Sequence, residues 1–158
     1  MSEYPGFNED FTDLLEIFLE ADVEFLVVGA HAMAAHGLPR ATGDLDVFVR
    51  PDDQNAPRVL EALLRYGAPV AAHGVTAEDF VTKGTVYQIG LPPRRIDILT
   101  ELSGVSWERA WSERREVTLE GVTLPVIGPR ALLENKRATG RMKDRVDAEH
   151  LERLLGER

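Results

Sequence analysis

The stretch from Phe25 to Val49, FLVVGAHAMAAHGLPRATGDLDVFV, constrains this chain more than any other. An apolar run, Phe25 to Val28, breaks at Gly29. A small-residue run with helical character follows, Ala30 to His36, closed by Gly37, Leu38 and Pro39. A second strand-like run starts at Asp44 and continues through Leu45, Asp46, Val47, Phe48 and Val49. Side chains alternate across a strand, so Asp44 and Asp46 share one face while Leu45, Val47 and Val49 share the other. Two carboxylates this close repel each other unless a cation lies between them, which points to a divalent metal ion.

A third acid sits in a matching context, Arg95-Ile96-Asp97-Ile98-Leu99, where Asp97 interrupts a β-branched run. Mg²⁺ takes hard oxygen ligands, uses few carboxylates and leaves positions for water and substrate phosphates. Three strand-borne acids, Asp44, Asp46 and Asp97, suit one or two such ions (Mg²⁺, or Mn²⁺ in its place) in a phosphoryl transfer. A turn at Gly29 adds a backbone that a phosphate can approach closely.

Gly29-Ala30, thirteen intervening residues, Asp44-Leu45-Asp46-Val47 and then Ile96-Asp97-Ile98 resemble the active-site signature of the nucleotidyltransferase superfamily related to DNA polymerase beta. The short length and the lead-in Arg40-Ala41-Thr42-Gly43 resemble its minimal bacterial members, including antitoxins and abortive-infection proteins of toxin–antitoxin systems. The family usually has Gly-Gly or Gly-Ser after the first strand. Here Ala30 keeps the backbone donor and lacks the hydroxyl. The resemblance implies an α/β (α+β) fold, a mixed sheet flanked by helices, and transfer of a nucleoside monophosphate from an NTP to a protein, RNA or small-molecule acceptor. It implies Asp44, Asp46 and Asp97 as metal ligands and catalytic acids. Gly29, Ala30, Arg40, Thr42 and Lys136 then fall on the nucleotide. The alternative from another class is a non-catalytic, antitoxin-like module of the same fold that binds nucleotide or a protein partner.

The 158 residues are enough for one domain with a sizeable core, with a core over about 22–128 and terminal helices over 129–158. Without cysteine there is no disulfide framework, thiolate metal site or Cys nucleophile, in keeping with a cytoplasmic protein. The acidic N-terminus shows no signal-peptide pattern, and no apolar run is long enough to span a bilayer. A net charge of −9 argues against a broad nucleic-acid-binding surface. The charge is uneven: Pro129 to Arg145 has six basic residues against two acids, a strip suited to a small anion or a placed phosphate.

Elsewhere the apolar spacing predicts a helix over residues 9–21, capped by Asn8. A second helix follows Pro51, with Asn55 as cap and Ala56, Val59, Leu60, Leu63 and Leu64 inward. Residues 68–83 read as an irregular loop. Thr85–Ile89 and Arg95–Leu99 read as a hairpin, as do Glu116–Leu119 and Val122–Ile127. Val105–Trp111 reads as a short helix whose two tryptophans pack. Pro129 opens a helix that stops at Gly140, and Lys143–Leu155 forms a last helix with Val146, Leu151, Leu154 and Leu155 inward. His31 is expected near the Gly29 turn and His36 in a structural role.

Overall fold

The computed structural model describes residues 7–38 and 43–156. Arg40 and Thr42, expected to face a nucleotide, lie outside the described residues. In chain order the elements are α1 (Glu9–Glu20), β1 (Phe25–Val28), α2 (Gly29–Ala35), β2 (Leu45–Val49), α3 (Asn55–Tyr66), a 3₁₀ turn (Ala77–Phe80), β3 (Val86–Ile89), β4 (Ile96–Leu99), α4 (Trp107–Ser112), β5 (Arg115–Leu119), β6 (Val122–Val126), α5 (Pro129–Thr139) and α6 (Met142–Leu154). The six strands form one mixed sheet in the order β3-β4-β2-β1-β6-β5. Both expected hairpins, β3–β4 and β5–β6, are present and antiparallel. β1 runs antiparallel to β2, whereas β2–β4 and β1–β6 are parallel. This is the expected α/β arrangement, a mixed sheet flanked by helices.

The central strands are apolar on both faces because both faces are covered. Phe25 meets Phe18 of α1 edge-on at 5.4 Å. On the opposite face Phe48 meets Trp107 of α4 at 5.1 Å. Trp107 stacks in turn on Trp111, and the Arg114 guanidinium lies 3.8 Å above the Trp111 ring. The two tryptophans therefore pack, as expected. α1 lies beside α3, and α5 beside α6.

Three expectations about the helices are corrected. Asn55 does not cap α3. It is the first helical residue and is buried, with its side chain accepting from Glu24 N at 2.7 Å and donating to Glu24 O and Arg50 O. Leu64 faces outward, because Ala62 and Leu63 complete the buried stripe. In α6, Val146 and Leu154 are exposed, and the inward stripe is Asp144, Asp147, Ala148 and Leu151. The segment 68–83 is not wholly irregular either. Thr76 and Asp79 form a reciprocal capping box on the 3₁₀ turn, which drives Phe80 into the core.

His36 is structural, its Nε2 lying 2.7 Å from the Ile127 carbonyl. His31 is fully buried, edge-on to Phe7 at 5.4 Å and Phe11 at 5.3 Å. Burial pulls its pKa down to about 4, against a hydrogen bond to the Asp44 backbone that acts the other way. A folded-state pKa below the unfolded value means that the unfolded chain takes up the proton first. The stabilisation is therefore complete above pH 6.5 and drains as pH falls toward 4, by up to about 3 kcal/mol. Urea unfolding at pH 7 and pH 4.5 is expected to show a smaller pH loss for His31→Leu than for the wild type. Equal losses would place the titration elsewhere.

Candidate active site

The acid cluster follows from strand register. β2 and β4 are parallel neighbours in which Asp46 stands directly opposite Asp97, with Leu45 opposite Ile96 and Val47 opposite Ile98. Residues opposite each other point to the same face, so Asp46 and Asp97 meet on one side. Ile96 and Ile98 are buried on the other. On the remaining flank, Val28 at the end of β1 pairs with Asp46. The chain then turns at Gly29 (φ +70°), and the Asp46 carboxyl packs over that glycine: a Cβ there would lie 2.5 Å from Asp46 Oδ2. Gly29 thus answers two demands at once, a left-handed backbone and the space that the carboxylate occupies.

Gly29→Ala is accordingly expected to cost about 1–2 kcal/mol from the backbone alone. It should also push the Asp46 carboxyl off its position, lowering affinity for Mn²⁺. Urea unfolding and a Mn²⁺ titration check this. A variant as stable as the wild type would show that the turn relaxes freely.

Asp44 directly precedes β2, and its strand is docked by a hydrogen bond from Leu45 N to Arg95 O. The preceding Gly43 lies so close to Pro93 in the β3–β4 connection that a Cβ would stand 2.5 Å from Pro93 Cα. The Asp44 carboxylate meets Arg95, whose Nη2 is 2.9 Å from Asp44 Oδ2 and whose Nε is 3.1 Å from Asp97 Oδ1. Among the described residues, no three acidic or imidazole side chains are gathered as a closed metal-binding set. Asp46 and Asp97 adjoin, and Asp44 reaches them through the Arg95 guanidinium.

The electrostatics follow from that crowding. Burial, reinforced by the charges of Asp97 and Asp44, raises the Asp46 pKa to about 7. Burial also raises that of Asp97, opposed by Arg95 and by a hydrogen bond shared with Asp46. Two acids pressed together in a buried site favour a proton or a cation between them. An all-oxygen donor set of this kind fits Mg²⁺ or Mn²⁺, which needs only one or two protein carboxylates.

The acids open into a cleft of about 400 Å³ lined also by Gly29, Ala30, Glu101, Asn135, Lys136, Arg141 and Lys143. The structure therefore brings Asp44, Asp46, Asp97, Gly29, Ala30 and Lys136 to one cleft. Lys136, however, is not a solvated lysine awaiting a phosphate. It is buried, and its Nζ lies 3.1 Å from Asp144 Oδ1 and 3.0 Å from Asp147 Oδ2 of α6. Asp144 also accepts from Thr139 Oγ1 at 2.6 Å and from Arg141 Nε at 2.8 Å. Although burial works to raise it, these donors hold its pKa down at about 2. The residues that sequence reasoning missed are thus Asp144 and Asp147, whereas Arg95, which shares a face with Asp97 two residues on and reads as its salt-bridge partner, gains Asp44 only from the fold. The available signal was the i, i+3 spacing of Asp144 and Asp147 on a helix with few apolar residues.

No family model and no curated protein matches the sequence. Its fold does match solved structures. One is a protein of Thermotoga maritima assigned as a nucleotidyltransferase (15% identity, 93% of this chain and 91% of that one, TM-score 0.55). Another is the antibiotic-resistance factor ANT(2'')-Ia (10% identity, 93% and 83% covered, TM-score 0.62). A third is the lincosamide antibiotic adenylyltransferase LnuA, solved with lincomycin bound (13% identity, 93% and 97% covered, TM-score 0.57). What is shared at such identities is the fold, and it is the nucleotidyltransferase fold. Among the described residues no helix is long and apolar enough to cross a membrane.

Proposed function

We propose that this protein transfers a nucleoside monophosphate from an NTP to an acceptor hydroxyl. One observation carries the reading: Asp46 stands opposite Asp97 on adjacent parallel strands and packs against the glycine that ends β1. The fold shared with LnuA, an adenylyltransferase, is consistent with it.

Asp46 and Asp97, with Asp44 once released from Arg95, would hold Mg²⁺ or Mn²⁺ on the side of the cleft where the triphosphate lies. Such an ion, when bound, neutralises charge on the phosphate oxygens and aligns the attacking and leaving groups. Gly29 and Ala30 present backbone beside Asp46 for the triphosphate. Arg40 and Thr42 belong to the same proposal. Lys136 would act on the nucleotide only through a charge already shared with Asp144 and Asp147. The acceptor oxygen attacks the α-phosphorus, its bond to the bridging oxygen breaks, and pyrophosphate leaves. The acceptor's proton passes to Asp97 as the oxygen attacks. A cytoplasmic setting and a place in a toxin–antitoxin or abortive-infection system, with a protein or RNA acceptor, belong to the same proposal.

The test is to incubate the protein with each α-labelled NTP, Mg²⁺ or Mn²⁺, and pools of protein, RNA and small-molecule acceptors. Label should be attached covalently by the wild type and not by Asp46→Asn, with pyrophosphate released in step. Label transferred equally by both proteins would remove the acids from the reaction. The second reading, a nucleotide-binding module without turnover, draws on the grip of Arg95 on Asp44 and Asp97. It takes over if nucleotide binds through Asp46 and no acceptor is labelled.

A further inference from the structure

Arg95 stands two residues before Asp97 and shares its face. Its guanidinium spans two of the three acids. Nη2 is 2.9 Å from Asp44 Oδ2, Nε is 3.1 Å from Asp97 Oδ1, and Nη2 also donates to Asp97 Oδ2 at 3.4 Å. The contact with Asp97 is close but badly aligned. Arg95 Nε and Asp97 Oδ1 are both buried, and neither makes a hydrogen bond of good geometry. At 3.4 Å the other bond is long. A locked Arg–carboxylate fork makes two parallel bonds near 2.8 Å. Here the side chain is held mainly by the field of the carboxylates, with 30% of it exposed on the open side of the cleft. A cation so held can be displaced, and it has somewhere to go.

We infer that Arg95 is a built-in counter-cation that competes with the divalent ion for Asp44 and Asp97 and, when metal arrives with nucleotide, moves onto the triphosphate oxygens. The inference rests on the metal–nucleotide reading of the site given above. A free divalent ion brings only repulsion to Arg95 and must displace it without compensation. An ion carried by a nucleotide brings an anion that the guanidinium can bind in a bidentate manner as it leaves the carboxylates. The site then favours the metal–nucleotide complex over the bare metal, and the preference is a coupling between the two ligands of the kind that usually amounts to 5–150-fold. Arg95 is in this sense a positioning and specificity residue.

The test measures Mn²⁺ alone, and then Mn²⁺ with an α,β-methylene NTP analogue, by calorimetric titration. The proteins are the wild type, Asp46→Asn, Arg95→Gln, Arg95→Lys and Lys143→Gln, the last removing the same charge from another cleft position. Thermal melts establish that each is folded. The expected signature is a pair of opposite shifts in Arg95→Gln: Mn²⁺ alone binds about tenfold tighter, and the Mn²⁺–analogue complex at least about fivefold weaker, within the usual coupling range. Arg95→Lys keeps the charge and should fall between. Lys143→Gln should leave affinity for Mn²⁺ alone within about threefold, a lone outer charge being screened. The inference is overturned if Arg95→Gln binds Mn²⁺ no tighter than the wild type, or if Lys143→Gln reproduces its effect. If Mn²⁺ binding depends on Asp46 while Arg95→Gln matches the wild type, only the role of Arg95 falls. If neither the wild type nor the Arg95 variants bind Mn²⁺, the metal reading falls with it.

Discussion

Lys136→Met is expected to lower stability in urea unfolding by about 3–5 kcal/mol, the usual cost of taking one partner from a buried ion pair. Lys136 has 9% of its side chain exposed, Asp147 3% and Asp144 none, so water does little to screen the charges. Methionine keeps the apolar stem and withdraws the ammonium shared by the two carboxylates. The loss should come with a coupling: Lys136→Met combined with Asp147→Leu should be less unstable than the sum of the single changes, because the pair is removed together. A lysine on a solvated helix face would show less than about 0.5 kcal/mol. A value that small would mean that the triad does not hold α5 against α6.

The second large effect falls on rate. Asp97→Asn is expected to cut nucleotidyl transfer by about 10²–10⁴, the usual cost of losing a group that accepts a proton in the transition state. At roughly 1.4 kcal/mol per tenfold, that is about 3–5 kcal/mol of barrier. The fold should survive, because the change is nearly isosteric and the neighbouring Ile96 and Ile98 keep their places in the core. The rate loss should exceed the roughly tenfold weakening of metal–NTP binding that losing a ligand brings, since the proton leaves only as the acceptor attacks. A full-rate variant would remove Asp97 from the reaction while leaving Asp46 in it.

The elements that bear the acids could be read from the chain because strand alternation is local. Asp46 and Asp97 each interrupt an apolar run, Asp44 stands two residues before Asp46, and Gly29 marks the turn beside them. That Asp46 faces Asp97 could not be read so, since it depends on a parallel pairing between strands about fifty residues apart. The role of Arg95 hangs on the same pairing. It reads locally as a salt-bridge partner of Asp97, and only the fold adds Asp44 to its grip. α6 shows a different failure. Its buried positions, 144, 147, 148 and 151, follow the helical period, but carboxylates hold the first two. Reading polar residues as outward turned the helix the wrong way and hid the partners of Lys136. The Thr76–Asp79 capping box, by contrast, is a local signal that was there to be found.

The central claim is that Asp46 and Asp97 together hold a divalent ion with an NTP. It is tested most directly by titrating the Mn²⁺ complex of an α,β-methylene NTP analogue into the wild type, Asp46→Asn and Asp97→Asn, which requires no knowledge of the acceptor. The wild type should bind in a way that chelation abolishes, and each variant should bind at least about tenfold more weakly, a loss of about 1.4 kcal/mol or more. Equal affinity in all three proteins, or wild-type binding that survives chelation, would contradict the account.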